Sequence, residues 1–210
     1  MPRTSITETE IREALLSAAT EAFLRDGIVA TEMKSIAERA GLSRSTLYRY
    51  GVSRHQMAFL VAEQQLRTIS EEALDASADT SEDGWTRTLN FCSNLLRVLE
   101  SKPRVLRLMA EFDAIYAGPY PDIPEARDYV VTIQRIHSTL TRVVLDGMAD
   151  HSIVGVRDAS LFAATLHNAV FGLAMRFIPR REHYREEHGN DAVSIITETI
   201  TRLMESARRE

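Results

Sequence analysis

Apolar residues recur at steps of three and four along every long segment of this 210-residue chain. That spacing places them on one face of an α-helix, whereas no stretch alternates apolar and polar residues for long enough to predict a strand. The sequence therefore predicts an all-α fold. A chain of this length can bury a core without a disulfide or a structural metal.

Capping residues and chain breakers divide the sequence into about nine predicted helices. Thr7 with Glu10, and Ser53 with Gln56, have the capping-box spacing, in which each side chain bonds the backbone amide of the other residue. We predict a three-helix N-terminal domain over residues 1–53 and a helical domain over residues 54–210. The predicted helices are 7–26, Met33–Ala40, Arg44–Tyr50, Ser53–Asp75, Trp85–Leu99, Pro103–Tyr116, Ile123–Leu145, Arg157–Ile178 and Ala192–Ala207.

The two short predicted helices near the N-terminus have the pattern of a helix-turn-helix. This motif needs two helices at a steep angle, a turn that often contains glycine, and a second helix whose outer side chains reach base edges. Ile36, Ala37 and Ala40 give the first helix an inward face. Gly41 permits a positive φ in the turn.

Outward residues of the second short helix have side chains suited to DNA. Arginine can bond guanine bidentately, threonine can contact a thymine methyl, and serine or tyrosine can bind phosphates. The alternative is an ordinary solvated helix face, and residue spacing alone leaves both interpretations open. The residues are Arg44, Ser45, Thr46, Tyr48, Arg49 and Tyr50.

The run from Gly27 to Tyr50, GIVATEMKSIAERAGLSRSTLYRY, resembles the N-terminal signature of TetR-type regulators. The resemblance implies a DNA-binding helix-turn-helix domain followed by a helical domain for effector binding and dimerisation. It implies that the six outward residues lie on the recognition helix, with Thr31 and Arg54 near the phosphate backbone. Residues 61–210 match the family only in architecture.

Four positions depart from the family pattern. Gly51-Val52 stands where a bulky aromatic residue followed by proline or glycine is usual, and Val52 is expected to take over that packing. Glu32 replaces a serine or threonine, which predicts a weaker cap on the second helix and a carboxylate near the DNA backbone. Arg54 replaces a lysine and can still bind a phosphate.

Charge and cysteine content limit the classes of protein to consider. The net charge is −5, but residues 1–60 hold eight Lys or Arg against seven Asp or Glu, so the acidity lies in residues 61–210. This argues against coating of nucleic acid by the whole surface. Cys92 is interpreted as a buried apolar residue in a reducing compartment. With neither a membrane span nor a signal peptide in its pattern, the chain is expected to be soluble and cytoplasmic.

Reading an operator with useful specificity usually requires a two-fold dimer. The family resemblance implies that Arg157–Ile178 and Ala192–Ala207 pair with their copies, although their apolar stripes could also close the monomer's core. It also implies a cavity for an unknown small-molecule effector in the helical domain. The candidate lining residues, for which core packing is the alternative interpretation, are Trp85, Met109, Phe112, Tyr116, His137, His167, Asn168, Phe171 and Met175.

No catalytic constellation, phosphate loop or metal-ligand cluster has a recognisable spacing, so neither an enzyme nor a cofactor or metal is predicted. His183 and His188 are expected in a charged loop. The predicted function is a transcriptional regulator, a repressor that a small molecule releases from operator DNA. The alternative is a helical ligand-binding or adaptor protein in which the N-terminal domain over residues 1–53, here called the head, no longer binds DNA because of Gly51 and Glu32.

Overall fold

All regular secondary structure is helical in the residues described by this computed structural model, which are 7–43, 45, 46, 49, 52–75 and 81–208. These residues contain nine α-helices and one short 3-10 helix, Ile178–Arg180, and no strand. The predicted all-α class is confirmed. The helices are α1 (Glu8–Asp26), α2 (Met33–Arg39), α3 (Arg54–Asp75), α4 (Gly84–Glu100), α5 (Pro103–Ile115), α6 (Pro124–Ala149), α7 (Ala159–Phe177), α8 (Arg181–His188) and α9 (Ala192–Ser206).

Both predicted capping boxes are formed. At the start of α1, the Glu10 amide donates to Thr7 Oγ1 at 3.3 Å and the Thr7 amide donates to Glu10 Oε2 at 2.7 Å. At the start of α3, the Gln56 amide donates to Ser53 Oγ at 3.2 Å and the Ser53 amide donates to Gln56 Oε1 at 2.9 Å. Each box satisfies amides that have no partner inside the helix.

Helix α8 corrects the prediction of a charged loop around His183 and His188. The loop prediction was wrong because α8 buries none of its residues, and so it has no apolar periodicity to reveal it. Gly189 ends the helix in the left-handed conformation, with φ of 70°. Asp191 accepts from Arg181 Nε at 2.7 Å and from Arg185 Nη2 at 3.1 Å, and this tethers α8 to the start of α9.

The first compact unit combines residues 1–65 with residues 107–129. It therefore contains α1, α2, the first half of α3, most of α5 and the start of α6. Its core is formed by fully or almost fully buried side chains: Leu15, Ala19, Ala22, Phe23, Ile36, Ala37, Met57, Phe59 and Phe112. The predicted domain boundary at residue 53 separates a DNA-binding part from a part for effector binding and dimerisation. That division by function stays a prediction.

The second compact unit combines residues 66–106 with residues 130–210, and α4, α7 and α9 pack on one another in it. Gly84 lies so close to α6 that a Cβ there would be 2.2 Å from the Cα and amide nitrogen of Gly147. Cys92 is completely buried, and burial raises the pKa of its thiol to about 12. The interpretation of Cys92 as a core residue is confirmed.

One described stretch, Ala159–His188, is long and apolar enough to cross a membrane by length and composition alone. Its mean hydropathy reaches 1.4, and 33% of its most apolar window is buried. Core helices of globular proteins and helices that pack against a second chain have the same composition.

Candidate nucleic-acid interface and effector residues

The described part of the helix-turn-helix has the geometry predicted from its residues. Ile36 and Ala37 on α2 are completely buried, and Gly41 has a positive φ of 69°. The Leu42 amide donates to the Ala37 carbonyl at 2.9 Å, which closes the turn after α2. Leu42 itself is half-buried. The turn therefore directs the chain away from α2 toward the next helical segment.

Ser43 caps that helical segment. Its hydroxyl accepts from the Thr46 amide at 3.1 Å and lies 2.7 Å from Ser45 Oγ and 2.9 Å from Thr46 Oγ1. Ser45, Thr46 and Arg49 are helical; Ser45 and Arg49 are exposed, whereas Thr46 is half-buried. Four positions of interest, Arg44, Tyr48, Tyr50 and Gly51, lie outside the described residues.

Thr31 and Arg54 occupy different environments. Arg54 is exposed as the first residue of α3, where its guanidinium and the helix N-terminus can both face an anion. Thr31 is only 2% exposed, and its hydroxyl donates to the Gly27 carbonyl at 2.6 Å. Contact of Thr31 with the DNA backbone stays a prediction.

The cap of α2 has the weakness predicted for Glu32. Glu32 occupies the N-cap position with extended backbone, and its side chain makes no capping hydrogen bond. A serine or threonine there would bond one of the free amides in the first turn, at a typical gain of about 1 kcal/mol.

Glu111 on α5 holds the loop that follows α1, and the sequence analysis missed it. Its two carboxylate oxygens accept from the Ile28 and Val29 amides, each at 2.9 Å. Gly27 has a φ of 89°, and a Cβ at this position would lie 2.7 Å from Glu111 Oε2. The loop between α1 and α2 therefore fits the carboxylate only with glycine at position 27. Periodicity carries no signal for a contact between residues this far apart in sequence.

Candidate effector residues of the first unit belong to an aromatic cluster or lie in its core. Phe112 and Tyr116 have ring centroids 5.0 and 4.6 Å from that of Phe59, and Tyr120 and Tyr129 complete the cluster. His55 Nδ1 lies 2.9 Å from the Tyr116 hydroxyl, and burial raises the pKa of Tyr116. Met109 is 2% exposed.

Three candidates of the second unit are linked by ring contact and electrostatics. His137 Nε2 lies 2.9 Å from Ser160 Oγ, and the rings of His167 and Phe171 are 5.7 Å apart. Burial lowers the pKa of His167, and the proximity of His137 lowers it further. This half-buried pair of histidines stands among apolar residues of α6 and α7.

The other second-unit candidates are placed differently. Trp85 Nε1 donates to the Met204 carbonyl at 3.0 Å, and the Arg208 guanidinium lies 3.6 Å from the centre of its ring. Asn168 is exposed and donates to the Ala164 carbonyl at 2.8 Å, while Met175 is half-buried. The contacts of Trp85 hold the end of α9. Effector contact by the six candidates of the second unit, here and in the preceding paragraph, stays a prediction.

Helix α7 exposes a weakly apolar stripe. Leu161 is 66% exposed, and Thr165, Asn168 and Gly172 follow it on the same face at steps of three and four residues. Helix α9 buries Ala192, Ile196, Ile200 and Met204 inside its own unit. The apolar stripe of α9 thus closes the monomer's core, which was one of the two open interpretations, whereas α7 keeps a face available.

Residues 15–58 match the model of a known family, described as bacterial regulatory proteins, tetR family. We call residues 15–58 the TetR-type segment. The match includes most of α1, all of α2 and the start of α3, so the TetR-type segment holds every described element of the helix-turn-helix. The resemblance identified in the sequence is confirmed.

Solved structures extend the likeness of fold beyond the TetR-type segment. A protein with unknown function from Rhodococcus sp. RHA1 is 15% identical, with a TM-score of 0.75 over 99% of this chain and 100% of that one. The transcriptional regulator FadR from Bacillus subtilis, solved with stearoyl-CoA, is 11% identical, with a TM-score of 0.67 over 93% and 98%.

A TetR-family transcriptional regulator from Streptomyces coelicolor is 19% identical, with a TM-score of 0.66 over 96% of this chain and 97% of that one. At these identities the likeness shows the fold. No curated protein matches the sequence. The chain thus combines a TetR-type N-terminal segment with the overall fold of TetR-family regulators.

Proposed function

We propose that this protein is a homodimeric transcriptional repressor that a small-molecule effector releases from its operator DNA. The observation that carries the proposal is the TetR-type segment, in which Gly41 turns the chain and Ser43 caps a helical segment with Ser45 and Arg49 exposed. A helix presented in this way can enter the major groove. We propose a cytoplasmic protein without catalytic activity.

The proposed DNA contacts divide into base contacts and phosphate contacts. Arg44, Tyr48 and Arg49 would reach base edges from the recognition helix, with Ser45, Thr46 and Tyr50 at its margins. Arg54 would bind a phosphate together with the first amides of α3. Thr31 would act from the α1–α2 loop through its backbone, because its hydroxyl already bonds Gly27.

The exposed face of α7 supports the proposed dimer. The stretch that contains α7 combines a mean hydropathy of 1.4 with only 33% burial, and its Leu161 stripe is free within one chain. A two-fold partner would remove this surface from water and set the two recognition helices one helical turn of DNA apart, about 34 Å. Helix α9, which flanks α7, would complete the interface with the face that its own unit leaves exposed, which carries Thr197 and Thr201.

The proposed effector is a mainly apolar small molecule. FadR from Bacillus subtilis, which has the same fold, was solved with stearoyl-CoA, an acyl compound with a long hydrocarbon chain. Within the second unit, the residues available for such contacts are Phe171 and Met175, with His137 and His167 as polar partners. An effector can shift the operator equilibrium only if it binds the two arrangements of the heads with different affinity.

Glu111 offers a physical route for that shift. Its carboxylate holds the Ile28 and Val29 amides, and the loop that contains them leads directly into α2. A movement of α5 along its axis would therefore move the start of the helix-turn-helix. We propose that effector binding displaces α5 and changes the spacing of the recognition helices through this contact.

The test is binding to DNA from just upstream of the protein's own gene, set against random DNA and titrated with salt. The proposal predicts sequence-selective binding with a steep salt slope, because cationic side chains displace counterions from phosphates. Release of that DNA by a long-chain acyl compound would support the effector class. Weak binding to both DNAs, without salt dependence, would contradict the proposal and favour an adaptor whose head no longer reads DNA.

A further inference from the structure

A cleft of about 200 Å³ opens in the first compact unit, apart from the candidate DNA and effector residues. It lies between α1, the start of α3 and the start of α6. Its walls are mainly hydrocarbon: Leu15 and Met57 are buried, and Leu16, Leu60 and Val52 are half-buried beside the opening. The polar lining residues are Arg12, Glu13, Gln56 and Glu125.

Glu125 has one carboxylate oxygen that the described residues leave without a partner. Oε1 accepts from Gln56 Nε2 at 3.2 Å. Oε2 is shielded from solvent and has no hydrogen-bond donor among the residues that the structure describes. A carboxylate oxygen removed from water is costly unless a donor satisfies it, so a cationic donor that reached this carboxylate from the cleft would stabilise it.

The charges around the cleft favour a cation. Glu13 adds a second carboxylate to the lining, and the Arg12 guanidinium donates from Nε and Nη2 to Glu8 Oε1 at 3.2 and 3.1 Å. The lining thus carries two carboxylates against one guanidinium, and that guanidinium is paired with a carboxylate outside the lining. The excess of negative charge in the lining disfavours an anion, whereas an ammonium group meets complementary charge.

We propose that this cleft binds a small ammonium compound with a hydrocarbon body. An apolar cavity of about 150 Å³ holds benzene, so a volume near 200 Å³ fits one ring with a short aminoalkyl arm. The ammonium pairs with the Glu125 carboxylate, which turns about its last bond to present Oε2 to the cleft. The ring packs against Leu15, Leu60 and the Met57 thioether, a favourable contact for an aromatic ring. A ligand bound at this site would act directly on the first compact unit, and it differs from the proposed apolar effector.

Methyl NMR of the full-length protein tests the site with phenethylammonium chloride as the probe. The methionine methyls carry carbon-13, and Met57→Leu identifies the Met57 signal. At neutral pH and constant ionic strength, we expect the Met57 signal to shift saturably, while buried Met109 and Met204, outside the cleft, stay in place. Phenethyl alcohol and 3-phenylpropanoate have similar bodies without the positive charge, and we expect both to bind at least about tenfold more weakly.

Three variants test where the ammonium group binds. Glu125→Gln should weaken phenethylammonium binding about tenfold or more, because an ion pair becomes a hydrogen bond from the ammonium to a neutral amide. Glu21→Gln removes an exposed carboxylate of α1 outside the cleft and should leave binding unchanged. Leu60→Trp should fill the cleft and abolish the shift with an unchanged melting curve, which keeps the test valid if Glu125→Gln folds poorly.

An unresponsive Met57 signal would overturn the proposal. Equal binding of the ammonium compound and the alcohol would also overturn it, as would equal affinity in wild type and a folded Glu125→Gln variant. All of these readouts are independent of DNA binding, so their failure is distinguishable from failure of the proposed regulator function.

Discussion

Single residues decide how closely the backbone can pack inside each compact unit. Gly27 must be glycine because its φ is positive, and a Cβ there would in addition displace the Glu111 carboxylate. Gly84 must be glycine because α4 touches α6 backbone to backbone. Sequence patterns identify Gly27 as a helix stop but give no reason for Glu111 or Gly84, because the partner of each lies far away in the chain.

Glu111→Gln should reduce the free energy of unfolding by about 1–2 kcal/mol, because one of two charge-assisted hydrogen bonds is lost and an amide group faces an N–H. Chemical denaturation followed by circular dichroism measures the change. Glu21→Gln, which breaks only an exposed ion pair with Arg39, should change stability by less than about 0.5 kcal/mol. Equal stability of the two variants would contradict the assigned role of Glu111.

Gly84→Ala should destabilise the protein by about 1–3 kcal/mol. A methyl group there overlaps the backbone of Gly147, and this overlap outweighs the usual small gain from replacing a helical glycine. The matched variant is Gly118→Ala, where the new Cβ would have no atom within 4 Å. Thermal melts of both variants give the comparison, and a melting temperature for Gly84→Ala at or above that of wild type would refute the close contact.

Arg44→Ala and Tyr48→Ala should each lose operator affinity while the helical content and the dimer remain intact. Loss of a bidentate arginine contact costs about 1–3 kcal/mol in discrimination between bases. Fluorescence anisotropy with labelled operator DNA measures the affinity, and sedimentation checks the dimer. If both variants bound like wild type, the recognition helix would have been assigned to the wrong residues.

At the scale of helices, neighbouring residues in the sequence predict the helix caps and turns, because those features depend on contacts between neighbours. Both capping boxes, the turn at Gly41 and the weak cap at Glu32 were predicted from neighbouring residues, and each is present. Helix α8 was missed because its contacts are ion pairs at the surface rather than a buried stripe. The effector candidates could be proposed only as apolar stripes, which have the same pattern whether they line a cavity or fill a core.

The contact between α6 and α7 should make stability depend on pH through His167. Burial lowers the pKa of His167 in the folded state, so near its ordinary pKa the unfolded state binds the proton more readily. The free energy of unfolding is therefore highest above the pKa of His167 in the unfolded state, about 6.5. It decreases as the pH falls below that value, by at most about 1.4 kcal/mol per pH unit. Urea unfolding of wild type and His167→Gln between neutral pH and pH about 5 tests this. The variant should show the shallower pH dependence, and parallel curves would contradict it.

At the scale of the whole molecule, the sequence predicts the fold class better than it predicts how the helices are distributed between the two compact units. An all-α chain with a TetR-type head could be predicted because helical periodicity and the helix-turn-helix signature are local. The two compact units interleave along the chain, however, with residues 107–129 joining residues 1–65. Long-range contacts such as that of Glu111 with the α1–α2 loop produce this arrangement, and periodicity does not encode them.

Selection from random-sequence DNA tests the central claim that this protein reads DNA as a two-fold dimer. Repeated capture and sequencing of bound duplexes should enrich one motif whose two inverted half-sites are centred about one helical turn apart, and Arg44→Ala should fail to enrich it. A pool that shows no enriched motif after selection, or a motif without two-fold symmetry, would contradict the account.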